Sequence, residues 1–235
     1  MGACLVELAL AATAVGLQAA HSSVSYDAGF MFVDPVAVPA VLACLLLGFR
    51  ASLRVLLVTV LAVWMLDSSG TIGAALKLSA SLPGLILLLY PRWWLLAVFG
   101  SAGVLLVAGG TGILYAHIGE GISRLGAVAI LAPVAAAAVV YVRPRPPADV
   151  WTPAVAVRVL LVVVTVRGTL MILGDTFFAV PVFFGQSFED TLRSMPAWSV
   201  MAWNGVQATV DLGGGLAAAW LVRRIRYFAP PFRTH

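Results

Sequence analysis

Charge is scarce in this sequence. Lys and Arg number 14 and Asp and Glu 10 among 235 residues, so charged residues make up 10%, where soluble domains carry about 25%. Such a chain does not have enough polar side chains to face water on all sides. Lysine occurs once, at Lys77, and the three histidines, His21, His117 and His235, stand far apart, so no metal cluster is expected. No Gly-rich loop leads into Gly-Lys-Ser/Thr. The Gly109-Gly110-Thr111-Gly112 run therefore reads as close helix packing, and ATP hydrolysis by a phosphate cradle is excluded. G-x-S-x-G and Cys/His pairings for nucleophilic catalysis are also missing, so the chain is not expected to be an enzyme or to need a cofactor. The two cysteines, Cys4 and Cys44, fall in apolar runs and are expected as small buried hydrophobes, not as a disulfide. No small-residue cleavage site closes the first apolar run, which is expected as a retained helix.

What the sequence does have is apolar length. Hydrophobic residues make up 62%, mean hydropathy is +1.03, and runs near twenty residues recur throughout. Runs of that length cross a bilayer as helices. The ten-residue alternating segments of an outer-membrane barrel do not appear. The expected class is an all-α, polytopic membrane helix bundle forming one transmembrane domain over 1–235, embedded in a lipid bilayer as a multi-pass cell-membrane protein.

Helices are expected over Ala3 to Ala20, Pro35 to Gly48, the stretch after the Arg50–Arg54 turn to Asp67, a segment from Thr71 to Tyr90, 93–116, 124–142, Pro153 to Val180, and Pro196 to Arg226. His21 to Asp34 and Gly185 to Ser194 read as polar loops. This gives about eight spans: a core at 1–92 and 153–226, with an inserted helical hairpin at 93–142. In a six-span alternative the hairpin is re-entrant or amphipathic. With eight spans, ten arginines, including Arg50, Arg54, Arg92, Arg158 and Arg223, share one side, and only Arg124 and Arg193 lie on the other. The positive-inside rule then places both termini in the cytoplasm. That placement also accounts for the net charge of +4 without a nucleic-acid partner.

Inside the apolar runs lie Lys77, Arg167, Asp175, Asn204, Gln207 and Asp211. A charge at bilayer depth costs roughly 2.5–3.5 kcal/mol on insertion scales, so such groups face a bundle interior or a water-filled cavity. Asn204, Gln207 and Asp211 step at three and four residues and line one helical stripe. They can bond a solute or merely join helices. Arg167 and Asp175 stand two turns apart on roughly one face. Arg167 can bond Asp211 or helix-end carbonyls, and Asp175 is shallower and the better ligand candidate. Lys77 can pair with Asp67, Asp175 or Asp211, or hold a ligand's anionic or carbonyl group. Trp198, Trp203, Phe177 and Phe178 near the mouth can stack on a planar ligand, although interfacial aromatic belts are the commoner role. Ala12, Gly16 and Ala20 form a small-residue face for helix packing, within the bundle or against another membrane protein.

The order of motifs resembles the S components of energy-coupling-factor vitamin transporters, the riboflavin-binding branch above all. Phe32-Val33-Asp34-Pro35, Val38-Pro39-Ala40-Val41-Leu42 and Leu46-Leu47-Gly48 resemble that family's second helix, and Ser69-Gly70-Thr71-Ile72-Gly73-Ala74 its next Gly-rich turn. Asp175, Pro181 and Phe183-Phe184-Gly185 match the pattern of its fifth helix. Pro196, Trp203-Asn204-Gly205-Val206-Gln207 and Arg223-Arg224 match its last helix. The family's pocket Asn and Lys stand here as Asp175 and Gln207, and the turn after Gly48 lacks its Pro. The resemblance implies that Asp175, Asn204 and Gln207 contact a vitamin-like small molecule such as riboflavin. It also implies that the first helix meets a transmembrane coupling subunit and that two ATPase subunits supply energy. Lys77, Asp211 and Asp67 complete the candidate substrate-binding set, under a roof formed by the 21–34, 67–72 and 185–195 loops. The alternatives are a stand-alone secondary transporter with Asp175, Asp211 and Lys77 as a proton relay, a lipid-modifying membrane enzyme, and a scaffold whose polar stripe only joins helices.

Overall fold

The computed structural model describes residues 2–23, 34–67, 70–89, 153–175, 180, 185–186, 188–194 and 197–228. The expected spans at 93–116 and 124–142, and with them the hairpin at 93–142, lie outside the described residues. So do Phe177, Phe178, His117 and most of the 21–34 loop.

The described residues form only helices: α1 Gly2–Ser23, α2 Val38–Leu47, α3 Phe49–Leu66, α4 Gly70–Leu89, α5 Pro153–Gly174, α6 Phe188–Ser194 and α7 Ala197–Phe228. Four of them, α1, α3, α4 and α5, are long and apolar enough to cross a membrane. With α7, whose 32 residues reach about 48 Å, they make the frame of a membrane-embedded bundle.

Three elements differ from the sequence expectation. α2 begins at Val38, not at Pro35, because Pro35–Ala37 forms a turn in which the Asp34 carboxylate accepts from the Val36 N–H at 3.1 Å. Its 10 residues reach only about 15 Å, half the hydrocarbon thickness, so α2 is a half-length helix and not the full-length one expected. The turn before α3 is Gly48 alone, at φ 91°, a conformation glycine adopts without penalty. Its N–H reaches the Ala43 and Cys44 carbonyls, and Arg50 and Arg54 already lie on α3. Part of the expected 185–194 loop is the short helix α6, whose polar composition hid it.

α2 sits at the centre. It packs on α1, α3, α4 and α7, and α4–α5 and α5–α7 contacts close the bundle. Its buried Ala40, Val41, Cys44 and Leu45 meet Leu56, Leu85, Val163 and Leu212 in one continuous core. Backbones approach closely where glycine faces a bulky partner, as small residues permit between membrane helices. A Cβ at Gly215 of α7 would collide with Val41 of α2, and one at Gly168 of α5 with Met201 of α7. The Ser52 hydroxyl donates to the Ala40 carbonyl at 2.7 Å, tying α3 to α2. α1 lies on the outside, with 11% of its apolar stretch buried. A two-toothed ion pair from Arg54 to Glu7, with Nη2 to Oε2 at 2.7 Å, holds it to α3. Cys44 is buried as expected, but Cys4 is exposed on this outer helix.

Candidate functional site

The site is built where the start of α2 meets α4, α5 and α7. Its centre is Gln207 on α7, about one helical turn from both Asn204 and Asp211. Gln207 holds the backbone of Asp34 from both sides: its Oε1 accepts from the Asp34 N–H at 2.8 Å and its Nε2 donates to the Asp34 carbonyl. The same amide nitrogen donates to Asp211 Oδ1 at 3.0 Å. Asp211 Oδ2 receives the Arg167 guanidinium at 2.7 Å, and Arg167 Nε reaches Asn204 Oδ1 at 3.3 Å. The Asn204 amide donates back to the Val200 carbonyl at 2.9 Å. At the other end, Lys77 Nζ of α4 donates to Asp34 Oδ1 at 2.6 Å. One hydrogen-bonded chain therefore runs Lys77, Asp34, Gln207, Asp211, Arg167, Asn204 across the elements that frame the bundle's centre.

Burial sets the electrostatics. The Arg167 and Asp211 side chains are 7% and 5% exposed. Inside a low-dielectric bundle two such charges are tolerated because each satisfies the other and neighbouring amides complete their bonds. Lys77 and Asp34 form a second pair, partly buried. The Asp34 carboxylate also accepts from the Val36 N–H in the turn that leads into α2.

Four of the six sequence candidates, Lys77, Asn204, Gln207 and Asp211, come together in this chain. Asp175 directly follows the last residue of α5. It is buried, Arg167 acts on it electrostatically, and its Oδ2 has no hydrogen-bond partner. The adjoining Gly174 abuts Leu76, the residue before Lys77, so the end of α5 packs beside the Lys77 level of α4. Asp67 stands apart at the α3–α4 turn, its N–H on the Val63 carbonyl and its carbonyl taking the Gly70 N–H. Lys77 pairs with Asp34, not with Asp67, Asp175 or Asp211. Arg167 bonds Asp211, one of the two roles the sequence allowed. Trp203 is exposed on α7.

Asp34 is the functional residue that sequence reasoning left in a loop. Its signal was there: an Asp directly before Pro at the head of an apolar helix is placed to accept from the first free N–H groups. Beside the Arg167–Asp211 pair lies a cavity of about 20 Å³, lined by Ala80, Ser81, Gly84 and Ala208 as well as the pair itself. It has room for a water and not for a vitamin. The Ser81 hydroxyl, buried without a partner, faces this small-residue region of α4.

Compared with family models, with curated proteins and with solved structures, the chain finds no significant match.

Proposed function

We propose that this chain is the substrate-capture subunit of an ATP-driven importer, taking a vitamin such as riboflavin, or a related small molecule, from the outside. The observation that carries this reading is the polar chain joining the buried head of α2 to α4, α5 and α7. Structural interhelical hydrogen bonds average only about 0.6 kcal/mol each in a membrane protein. Assembling two ion pairs, two amides and an unpartnered carboxylate around one helix start costs more desolvation than such bonds return, which favours a selected role. Half-length helices whose ends are buried at polar residues are also how transporters build solute sites at depth. The resemblance to S components rests on several of the same residues, Asn204, Gln207 and Asp175.

On this reading the solute lies on the outer side of the polar chain. Lys77, Gln207 and Asn204 offer it donors and acceptors, and Asp175 borders it. Gln207 grips the Asp34 backbone, so a solute that bonds Gln207 also tightens or releases the segment that leads into α2. The chain makes and breaks no bond, and transport needs a coupling subunit and two ATPase subunits. Both termini lie in the cytoplasm. Uptake measured in cells carrying the full system tests this. ATP depletion should stop it while an uncoupler leaves it running; the reverse result would assign the chain to proton-coupled secondary transport instead.

A further inference from the structure

Among the described residues, the charges inside the bundle balance except for one. Lys77 is matched by Asp34 and Arg167 by Asp211, each in a direct ion pair. Asp175 remains. It is 3% exposed, its Oδ2 is buried with no hydrogen-bond partner, and Arg167, whose charge acts on it, has its Nη1 committed to Asp211. An ionised carboxylate buried without a partner is among the most costly groups a protein can carry unless it takes up a proton or meets a cation, and in native structures such a group calls for an explanation. Asp175 also follows the end of α5 where Gly174 abuts Leu76, beside the Lys77 level of α4 and on the side of the polar chain assigned above to the solute.

We propose that Asp175 is the contact for a positively charged group on the captured solute, an ammonium or a comparable organic monocation. This rests on the importer reading and narrows it: the solute carries one positive charge where it meets the end of α5. The amides of Asn204 and Gln207 would serve its uncharged polar atoms. A neutral heterocycle would leave Asp175 as costly in the loaded state as in the empty one. An anion would meet it with repulsion, since Lys77 and Arg167 already have their counter-charges.

The test uses the purified full chain in mild detergent, with methylammonium, tetramethylammonium and ethanolammonium chlorides as probes against sodium chloride at equal ionic strength. At least one organic cation should raise the thermal midpoint of the wild type above its value in sodium chloride. Asp175→Asn, nearly the same shape without the charge, should bind that cation at least about tenfold more weakly, the loss expected for one charge-assisted hydrogen bond. Asp175→Glu, which keeps the charge, should retain the response, and it decides the matter if the Asn variant does not fold. The proposal is overturned if no organic cation stabilises the wild type, if sodium stabilises it as well as they do, or if Asp175→Asn responds like the wild type. Tight binding of a neutral solute such as riboflavin, unaffected by Asp175→Asn, would overturn this proposal and leave the importer reading standing. Failure of the chain to bind any solute would remove both.

Discussion

Replacing Asp211 by Leu should be one of the most damaging single changes in this protein. Leu has the heavy-atom skeleton of Asp but is bulkier, with methyl groups in place of the carboxylate oxygens; the cavity of about 20 Å³ beside Asp211 takes up part of the extra volume, so the main effect is electrostatic. The substitution leaves the Arg167 guanidinium buried, with its side chain 7% exposed and only the long bond to Asn204 at 3.3 Å remaining. Two unit charges about 4 Å apart attract by about 4 kcal/mol at an effective dielectric of 20. Breaking one half of a buried pair costs roughly 3–5 kcal/mol by measurement in other proteins. Asp175, already within the field of Arg167, can take over part of that contact, which places the expectation at the lower end. For a chain of this size about 3 kcal/mol lowers the thermal midpoint by roughly 6–12 °C. The double variant Arg167→Met/Asp211→Leu should recover most of the loss, because an apolar pair of similar volume replaces a buried ion pair at little or no cost. Thermal unfolding in detergent, followed by circular dichroism on both single variants and the double, gives the coupling energy directly. If Asp211→Leu unfolds at the wild-type temperature, or if the two single losses simply add, the buried pair does not have the role assigned to it.

Three further outcomes follow from the packing. Gly215→Ala places a methyl group against Val41 and should cost about 1–3 kcal/mol, whereas Gly213→Ala, with nothing within 4 Å, should be nearly neutral; the difference in midpoint between the two variants reads this. Lys77→Met removes the charged partner of the Asp34 carboxylate and should cost about 1–3 kcal/mol in the same assay. Glu7→Gln should change stability by less than about 1 kcal/mol, because the Arg54 side chain is 54% exposed and the pair is only surface-deep.

The long helices were legible because apolar length alone specifies them: α3, α4 and α5 lie within a few residues of where the runs begin and end. The half-length α2 was not. Its apolar run, Pro35 to Gly48, looks like a short span, and the turn at Pro35–Ala37 depends on a side-chain bond from Asp34 that composition does not reveal. The polar residues were legible as a group, since Asn204, Gln207 and Asp211 share one stripe of α7 by spacing. Their partners were not, because spacing says nothing about which helices are neighbours. Lys77 had three candidate acids on other elements, and the packing of α4 beside the head of α2 gave it a fourth. Arg167 was given Asp211 as one of two possible partners, but spacing could not show that this pairing leaves Asp175 without a hydrogen bond on Oδ2.

The central claim is that the polar interior takes up a small molecule. Native mass spectrometry of the full chain, released from its own membranes in mild detergent, tests it most directly. The account predicts one small solute bound per chain, lost from folded Asn204→Ala and Asp175→Ala. A chain that emerges empty, or one that carries the same solute in both variants as in the wild type, would contradict it.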